Sequence, residues 1–215
     1  VEIGPTDIAF AEWAAAGLQA PDMPALREYR LARLQEQIIR NDCAGLLLFD
    51  PLNIRYATDA TNMQLWTTHN PARACFVPPQ GNVILWDFHN CEHLSQHLPL
   101  IGEVRHGASF FYFETGDRTA AAADEFVAVI LDLMARFGGK NKRLAVDRIE
   151  HVGYAALRAN DVDVLEGQVL TEHARSVKNA NELNAMRCAI HACECAVHEM
   201  RDAMRPGVSE NEMWA

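Results

Sequence analysis

The chain has 215 residues, enough for one full domain and part of a second at roughly one domain per 150 residues, and its 49% hydrophobic and 22% charged content is that of a globular protein. Its basic residues number 19 against 29 acidic ones, a formal net charge of −10, and they are scattered, which argues against a nucleic-acid partner. The longest apolar run, Leu46 to Phe49 with Ala44 and Gly45 before it, is far short of the ~20 residues of a membrane span.

In chain order, Thr6 is placed to cap a short helix ending near Ala16, with Gly17 as its stop. Pro21 breaks the chain before a longer helix from Pro24 to about Arg40. Ala44-Gly-Leu-Leu-Leu-Phe49 is continuously apolar and too short for a helix, which predicts a strand buried on both faces. Asp50-Pro51-Leu-Asn53 reads as the turn that ends it, and Ile54–Ala57 as a further extended piece. A long loop then runs through Met63, Trp66 and His69 to Pro71. Strands at 73–77 and 82–88 flank Pro78-Pro79-Gln80-Gly81, a connection suited to antiparallel neighbours.

After Phe88 a short helix to about His97 is expected, then extended segments at 103–105 and 110–113. A helix from Asp117 to Phe137 would bury Phe126, Ile130, Met134 and Phe137, with Gly138-Gly139 as its stop. Strand 143–147, helix 151–160 and strand 161–165 follow. Helices alternating with strands from residue 24 to about 170 predict an α/β domain built on a mixed sheet flanked by helices. The last helix, from about Asn179 to Met204, carries Leu183, Met186, Ile190, Cys193, Val197, Met200 and Met204 in steps of three and four, a stripe that calls for a partner surface. Ser209 and Glu212 form a capping box for one more helix, cut at Ala215. With no initiator Met and no charged-then-apolar leader at Val1, the residues are expected to be a segment of a longer cytoplasmic protein. The six cysteines lack C-x-x-C spacing and are expected to be reduced and mostly buried.

Four groups of residues invite a chemical reading. His89-Asn-Cys-Glu92-His93 matches H-x-x-E-H, in which two histidines one turn apart hold zinc, but a solvated connecting helix explains the spacing equally well and no further carboxylate ligand is identified. Cys188, His191, Cys195 and His198 share a helix side, yet the first and last lie roughly 15 Å apart along the axis, so small side chains packed on a neighbour are favoured over a metal site. Phe110-Phe111-Tyr112-Phe113 could wall a pocket; double-sided core packing is favoured. Trp13, Trp86 and Trp214 likewise read as packing anchors. The loop from Asn62 to Arg73 differs in kind, because it places Trp66, His69, Asn70 and Arg73 on a connection longer than the domain needs. Those four are the candidate contacts for a substrate pocket or a partner subunit, against the alternative that the loop only caps the sheet.

Ala44-Gly-Leu-Leu-Leu-Phe-Asp-Pro-Leu-Asn53-Ile-Arg-Tyr56-Ala-Thr58 resembles the strand-turn motif of the amino-terminal domain in the creatinase, prolidase and aminopeptidase P family. Arg175-Ser-Val-Lys178, followed by Glu182-Leu183 and Met186-Arg187, resembles the junction into that family's catalytic "pita-bread" domain, and Pro206-Gly207-Val208-Ser209-Glu210 resembles the turn after its first helix. Val1-Glu-Ile-Gly-Pro-Thr6, Phe10 to Gly17 and Asn53 to Pro71 are similar to the dimethylsulfoniopropionate lyase branch of the family. The resemblance implies residues 1–172 as a creatinase/prolidase-like amino-terminal domain and 173–215 as the junction and first helices of an incomplete pita-bread domain. It implies a homodimeric, metal-dependent parent with two divalent ions held downstream, no catalytic residue and no metal ligand in this segment, and a segment inactive alone. The parent's substrate would be a small Xaa-Pro peptide or a small organic molecule. Trp66, His69, Asn70 and Arg73 would then close a neighbouring subunit's active site. The alternative is a metal-free relative that binds another protein.

Overall fold

The computed structural model describes residues 4–214; Val1–Ile3 of the amino-terminal resemblance and Ala215 of the final helix lie outside the described residues. In chain order the elements are α1 (Asp7–Ala15), α2 (Met23–Arg40), β1 (Gly45–Leu48), α3 (Pro51–Thr58), α4 (Gln64–His69), β2 (Ala74–Val77) and β3 (Val83–Trp86). They continue with β4 (Ile101–Arg105), α5 (Tyr112–Thr115), α6 (Thr119–Gly138), β5 (Arg143–Val146), α7 (His151–Ala159), β6 (Asp163–Glu166) and α8 (Gly167–Ser176). The last are α9 (Ala180–Ala203) and α10 (Glu210–Trp214). The chain divides into two compact units, one running from Arg27 to Val177 and one made of residues 4–26 together with 178–214. Residues 4–26, which precede the sheet in sequence, thus belong to the second unit.

The first unit is the expected α/β domain. Its six strands lie in the order β4-β3-β2-β1-β5-β6. β1 pairs antiparallel with β2, and β2 with β3, whereas β1–β5, β5–β6 and β3–β4 are parallel. Five strands therefore run one way and β2 alone runs back, through the predicted connection at Pro78–Gly81. Alternation within β1 divides two cores. Leu47 and Phe49 pack with Phe76, Ile84, Trp86 and Leu144 against Phe126, Ile130 and Met134 of α6. Leu46 and Leu48 face the other way, with Cys75, Val77 and Leu85, onto Leu31, Leu34 and Ile38 of α2 and Leu170 of α8. Each fully buried Leu or Phe is worth about 1.5–3 kcal/mol relative to an exposed one, so burial of central strands on both faces is the main support of this unit.

Several local expectations change. Asp50 does not merely end β1. Its carboxylate accepts from Leu52 N and Asn53 N while Pro51 occupies the first turn, so Ile54–Ala57 is helical, in α3. The 89–97 segment holds only a single 3₁₀ turn at Glu92–Leu94. Phe110–Phe113 is not a strand, since the chain bends at Phe111 and Tyr112 and Phe113 open the short α5, and α8 is an additional helix after β6. Thr6 precedes α1 without a side-chain capping bond. Gly139, at φ 63°, stops α6 as expected, in a conformation that costs glycine little.

The end of α8 is bound tightly to the rest of its unit. Tyr56 Oη donates to Ala174 O at 3.3 Å, Arg33 Nη2 to His173 O at 3.2 Å, and Tyr29 Oη to Val177 O at 3.0 Å. Arg175 Nη1 donates to Asn53 Oδ1 at 3.1 Å.

The second unit is helical. Asn179 and Glu182 form a reciprocal capping box at the start of α9, and Ser209 with Glu212 forms the predicted one before α10. Asp22 N donates to Asn181 Oδ1 at 3.1 Å, and Cys188 Sγ lies 3.7 Å from Gln19 O. The predicted stripe stays open: Ile190 is 53% exposed, Val197 60% and Met204 68%. α1 buries no residue, although Phe10 and Trp13 meet edge to face at 5.4 Å. Trp86 is a core anchor as expected, whereas Trp214 is exposed.

Candidate functional site

All strands but β2 end at the same edge of the sheet, so the residues that follow β1, β3 and β5 gather there with the entry to β2. Ligand sites of open α/β sheets are found outside the carboxyl ends of strands. The edge is organised by two carboxylates, Asp147, which is half-buried, and Asp87, which is buried. Asp147, after β5, accepts from Phe49 N at 2.8 Å, Asp50 N at 3.1 Å, Asn53 Nδ2 at 3.0 Å and Arg148 N at 2.7 Å. Burial pushes its pKa up, and these hydrogen bonds to the ionised form act against that rise.

Asp87, after β3, is the second. Its Oδ1 accepts from Asn62 Nδ2 at 2.8 Å, Arg73 Nε at 3.1 Å and Phe88 N at 2.9 Å, and its Oδ2 accepts from Arg73 Nη2 at 3.0 Å. The Arg73 and Asp87 side chains are 1% and 0% exposed. Arg73 Nη1 is buried with no hydrogen-bond partner among the described residues. A buried ion pair of this kind adds little net stability, while removal of one member costs about 3–5 kcal/mol because the other is left charged and unpaired.

Between Asn62 and Arg73 the chain forms α4. Met63 precedes it in the left-handed region, at φ 42°, which costs a non-glycine residue about 1–3 kcal/mol. Thr67 N and Oγ1 both donate to Met63 O, and Asn70 N closes the helix on Trp66 O at 2.8 Å. Arg148 Nη2 reaches Thr68 O at 3.3 Å. The Trp66 ring lies 5.4 Å from Phe88 and 6.3 Å from Phe111. His69 is exposed and Asn70 half-buried. Of the four residues singled out from the sequence, Trp66, His69 and Asn70 thus stand on one short helix and its cap, while Arg73 is buried beneath as the loop's anchor.

Sequence reasoning missed Asn62 and Asp87. A signal for the latter exists, since counting outward from the β2–β3 turn pairs Ala74 with Trp86 and so places Arg73 opposite Asp87. It also missed an exposed aromatic pair. Phe110 and Phe111 are in the core as expected, but Tyr112 and Phe113 are 72% and 82% exposed, and the Phe113 ring is parallel to that of Phe111 at 6.5 Å. Leu65, 90% exposed, adds to the apolar character of the same loops.

The other motifs do not assemble a site. Glu92 Oε1 pairs with His106 Nε2 at 2.9 Å, and His89 and His93 do not sit on successive turns of one helix. Of the α9 group only Cys188 is buried; Cys195 Sγ and His191 Nε2 are 3.7 Å apart on an exposed face. Among the described residues, no three His, Cys, Asp or Glu side chains are grouped to hold a metal ion, and no helix is long and apolar enough to cross a membrane.

Along its full length the chain is 49% identical to dimethylsulfoniopropionate lyase DddP of Roseovarius nubinhibens and 48% identical to the protein of the same name from Roseobacter denitrificans. Both alignments cover 49% of the relative, so the chain spans about half the length of these curated proteins. Among solved structures, prolidase from Thermococcus sibiricus superposes with a TM-score of 0.61 at 16% identity, over 87% of this chain and 47% of that one. Xaa-Pro dipeptidase from Bacillus anthracis gives 0.59 at 19% identity, over 86% and 45%. No family model matches the chain. The chain is therefore similar over all its residues to about half of dimethylsulfoniopropionate lyase DddP, and its fold is that of the prolidases.

Proposed function

We propose that this chain is the amino-terminal domain and domain junction of a dimeric, metal-dependent dimethylsulfoniopropionate lyase. In this reading residues 1–172 are the supporting domain and residues 173–215 enter the catalytic one. The whole-chain identity to DddP carries it; the prolidases share the fold at far lower identity, and an Xaa-Pro peptidase parent is the second reading that this fold supports. Two divalent ions would belong to the full-length enzyme, with ligands from outside the described residues, so no step of the chemistry is assigned to this segment and alone it is expected to be inactive. The setting would be the cytoplasm, where unpaired thiols persist.

In the lyase reaction a general base removes a proton from the carbon next to the substrate carboxylate. The C–H electron pair becomes the new C=C bond as the C–S bond breaks, and dimethyl sulfide leaves with the electron pair of that C–S bond. What this chain contributes is a closing wall. Trp66 supplies a large apolar face, and His69 and Asn70 supply polar groups on a helix whose position is fixed from below by Arg73. Such a wall, lent to the partner subunit's active site, would exclude water and orient the substrate.

The test uses the full-length protein, assayed for dimethyl sulfide release and for Xaa-Pro cleavage. Release of dimethyl sulfide without cleavage is expected, and the reverse result would transfer the protein to the peptidases. Replacing Trp66 and His69 together by Ala should lower turnover at least about tenfold with metal content intact. Unchanged turnover rejects the closing role.

A further inference from the structure

The loop that carries Trp66 has both of its ends fastened to one carboxylate. Asn62 at its start and Arg73 at its end bond to Asp87, and the next residue, Phe88, gives Asp87 its backbone N–H and presents its ring to Trp66. Asn62, Arg73 and Asp87 are each less than a tenth exposed, so water hardly competes for these bonds. A carboxylate accepts through two oxygens only, and here four protein donors share them. We propose that Asp87 is the positioning residue of the contact loop: it sets the place of Trp66 by referring both loop ends, and the aromatic wall behind the indole, to the carboxyl end of β3. It touches no substrate and acts through Trp66, so the inference rests on the closing role proposed above. Arg73 takes part as the bidentate member, a geometry that lysine cannot reproduce.

Amide hydrogen exchange on the 215-residue chain gives the first test and needs no activity. Asp87→Asn keeps the shape of the side chain and removes its charge. Exchange at residues 64–70 should rise at least tenfold more than exchange at amides of α6 and β5, whose own rise reports the stability lost with the buried pair. A rise of equal size throughout the sheet unit would assign Asp87 to general stability and overturn the proposal. Should Asp87→Asn not fold, Asn62→Ala removes one tether and carries the same expectation at a few-fold scale.

The second test is a double-mutant cycle in the full-length enzyme, read as kcat/KM for dimethyl sulfide release together with the melting temperature. If Asp87 acts by placing Trp66, Asp87→Asn lowers kcat/KM about tenfold in the parent and less than twofold in the Trp66→Ala background, while its effect on melting is the same in both. Equal losses of kcat/KM in the two backgrounds overturn the positioning role. A Trp66→Ala variant with full activity instead rejects the closing role itself, whatever the exchange experiment has shown about the tether.

Discussion

In the sheet unit Leu46, Leu47, Leu48, Phe76 and Ile130 are sealed from solvent, whereas in the helical unit Ile190, Val197 and Met200 stand 53%, 60% and 42% exposed on a stripe just as regular. Periodicity reports which face of an element is apolar; it carries no information about whether the covering surface is present. The four inner strands of the first unit find neighbours on both sides within 27–177, and the sheet completes two cores. α9 and α1 keep their apolar residues open among the described residues, as elements do when their burial depends on a further surface. The closing-loop reading draws on this contrast, since a unit whose central strands are covered on both faces can hold a rigid edge.

The largest expected effect is chemical. Cys75 is sealed in the sheet and its thiol is pushed up by desolvation, while Cys193 and Cys195 are exposed on α9. Since the thiolate is the reacting species and access to Cys75 requires opening of the sheet, mass spectrometry should find Cys193 and Cys195 alkylated at least ~1,000-fold faster than Cys75. Comparable rates would mean that the sheet unit is not closed.

Next in size, Ile130→Ala in α6 should destabilise the chain by about 2–5 kcal/mol in chemical denaturation, against less than ~0.5 kcal/mol for Ile190→Ala. Equal costs would erase the distinction between the units. The smallest effect belongs to the rim of the sheet unit itself. Hydrogen bonding from Arg105, then from Arg136, holds the Glu103 carboxyl below its ordinary range. A depressed pKa gives stability above the unfolded value, about 4.3, that is lost as the pH falls through the folded one. Because the pair is solvent-accessible, Glu103→Gln should cost less than ~1 kcal/mol at pH 7, and the difference from the parent should fade in strong acid.

Where sequence and structure agree, local chemistry and long-range packing point the same way. The uninterrupted Leu46–Phe49 run has one stable use, a central strand, and Phe126, Ile130 and Met134 have one, a helix on its face. Asp50-Pro51 shows how a single dipeptide carries two messages, because Asp and Pro serve a turn and a helix start equally well until Leu52 N and Asn53 N are seen bonded to the carboxylate. Tyr112 and Phe113 were misread for a different reason: aromatic character is common to cores and contact surfaces, and only the bend after Phe111 turns them outward. The candidate loop was legible from its length and residue types. Its tether was not, since Asn62, Arg73 and Asp87 meet only once the β2–β3 register is known.

The bonds at the end of α8 have a practical consequence for dissecting the protein. A fragment ended at Glu172, where the sequence motifs place the domain boundary, would lose the backbone oxygens of His173, Ala174 and Val177 that hold Arg33, Tyr56 and Tyr29, together with the guanidinium of Arg175 that holds Asn53. Four side chains on α2 and α3 would be left without these partners, among them Asn53, which bonds directly to Asp147. The natural place to cut is after Val177, where the last of these fastenings has been made.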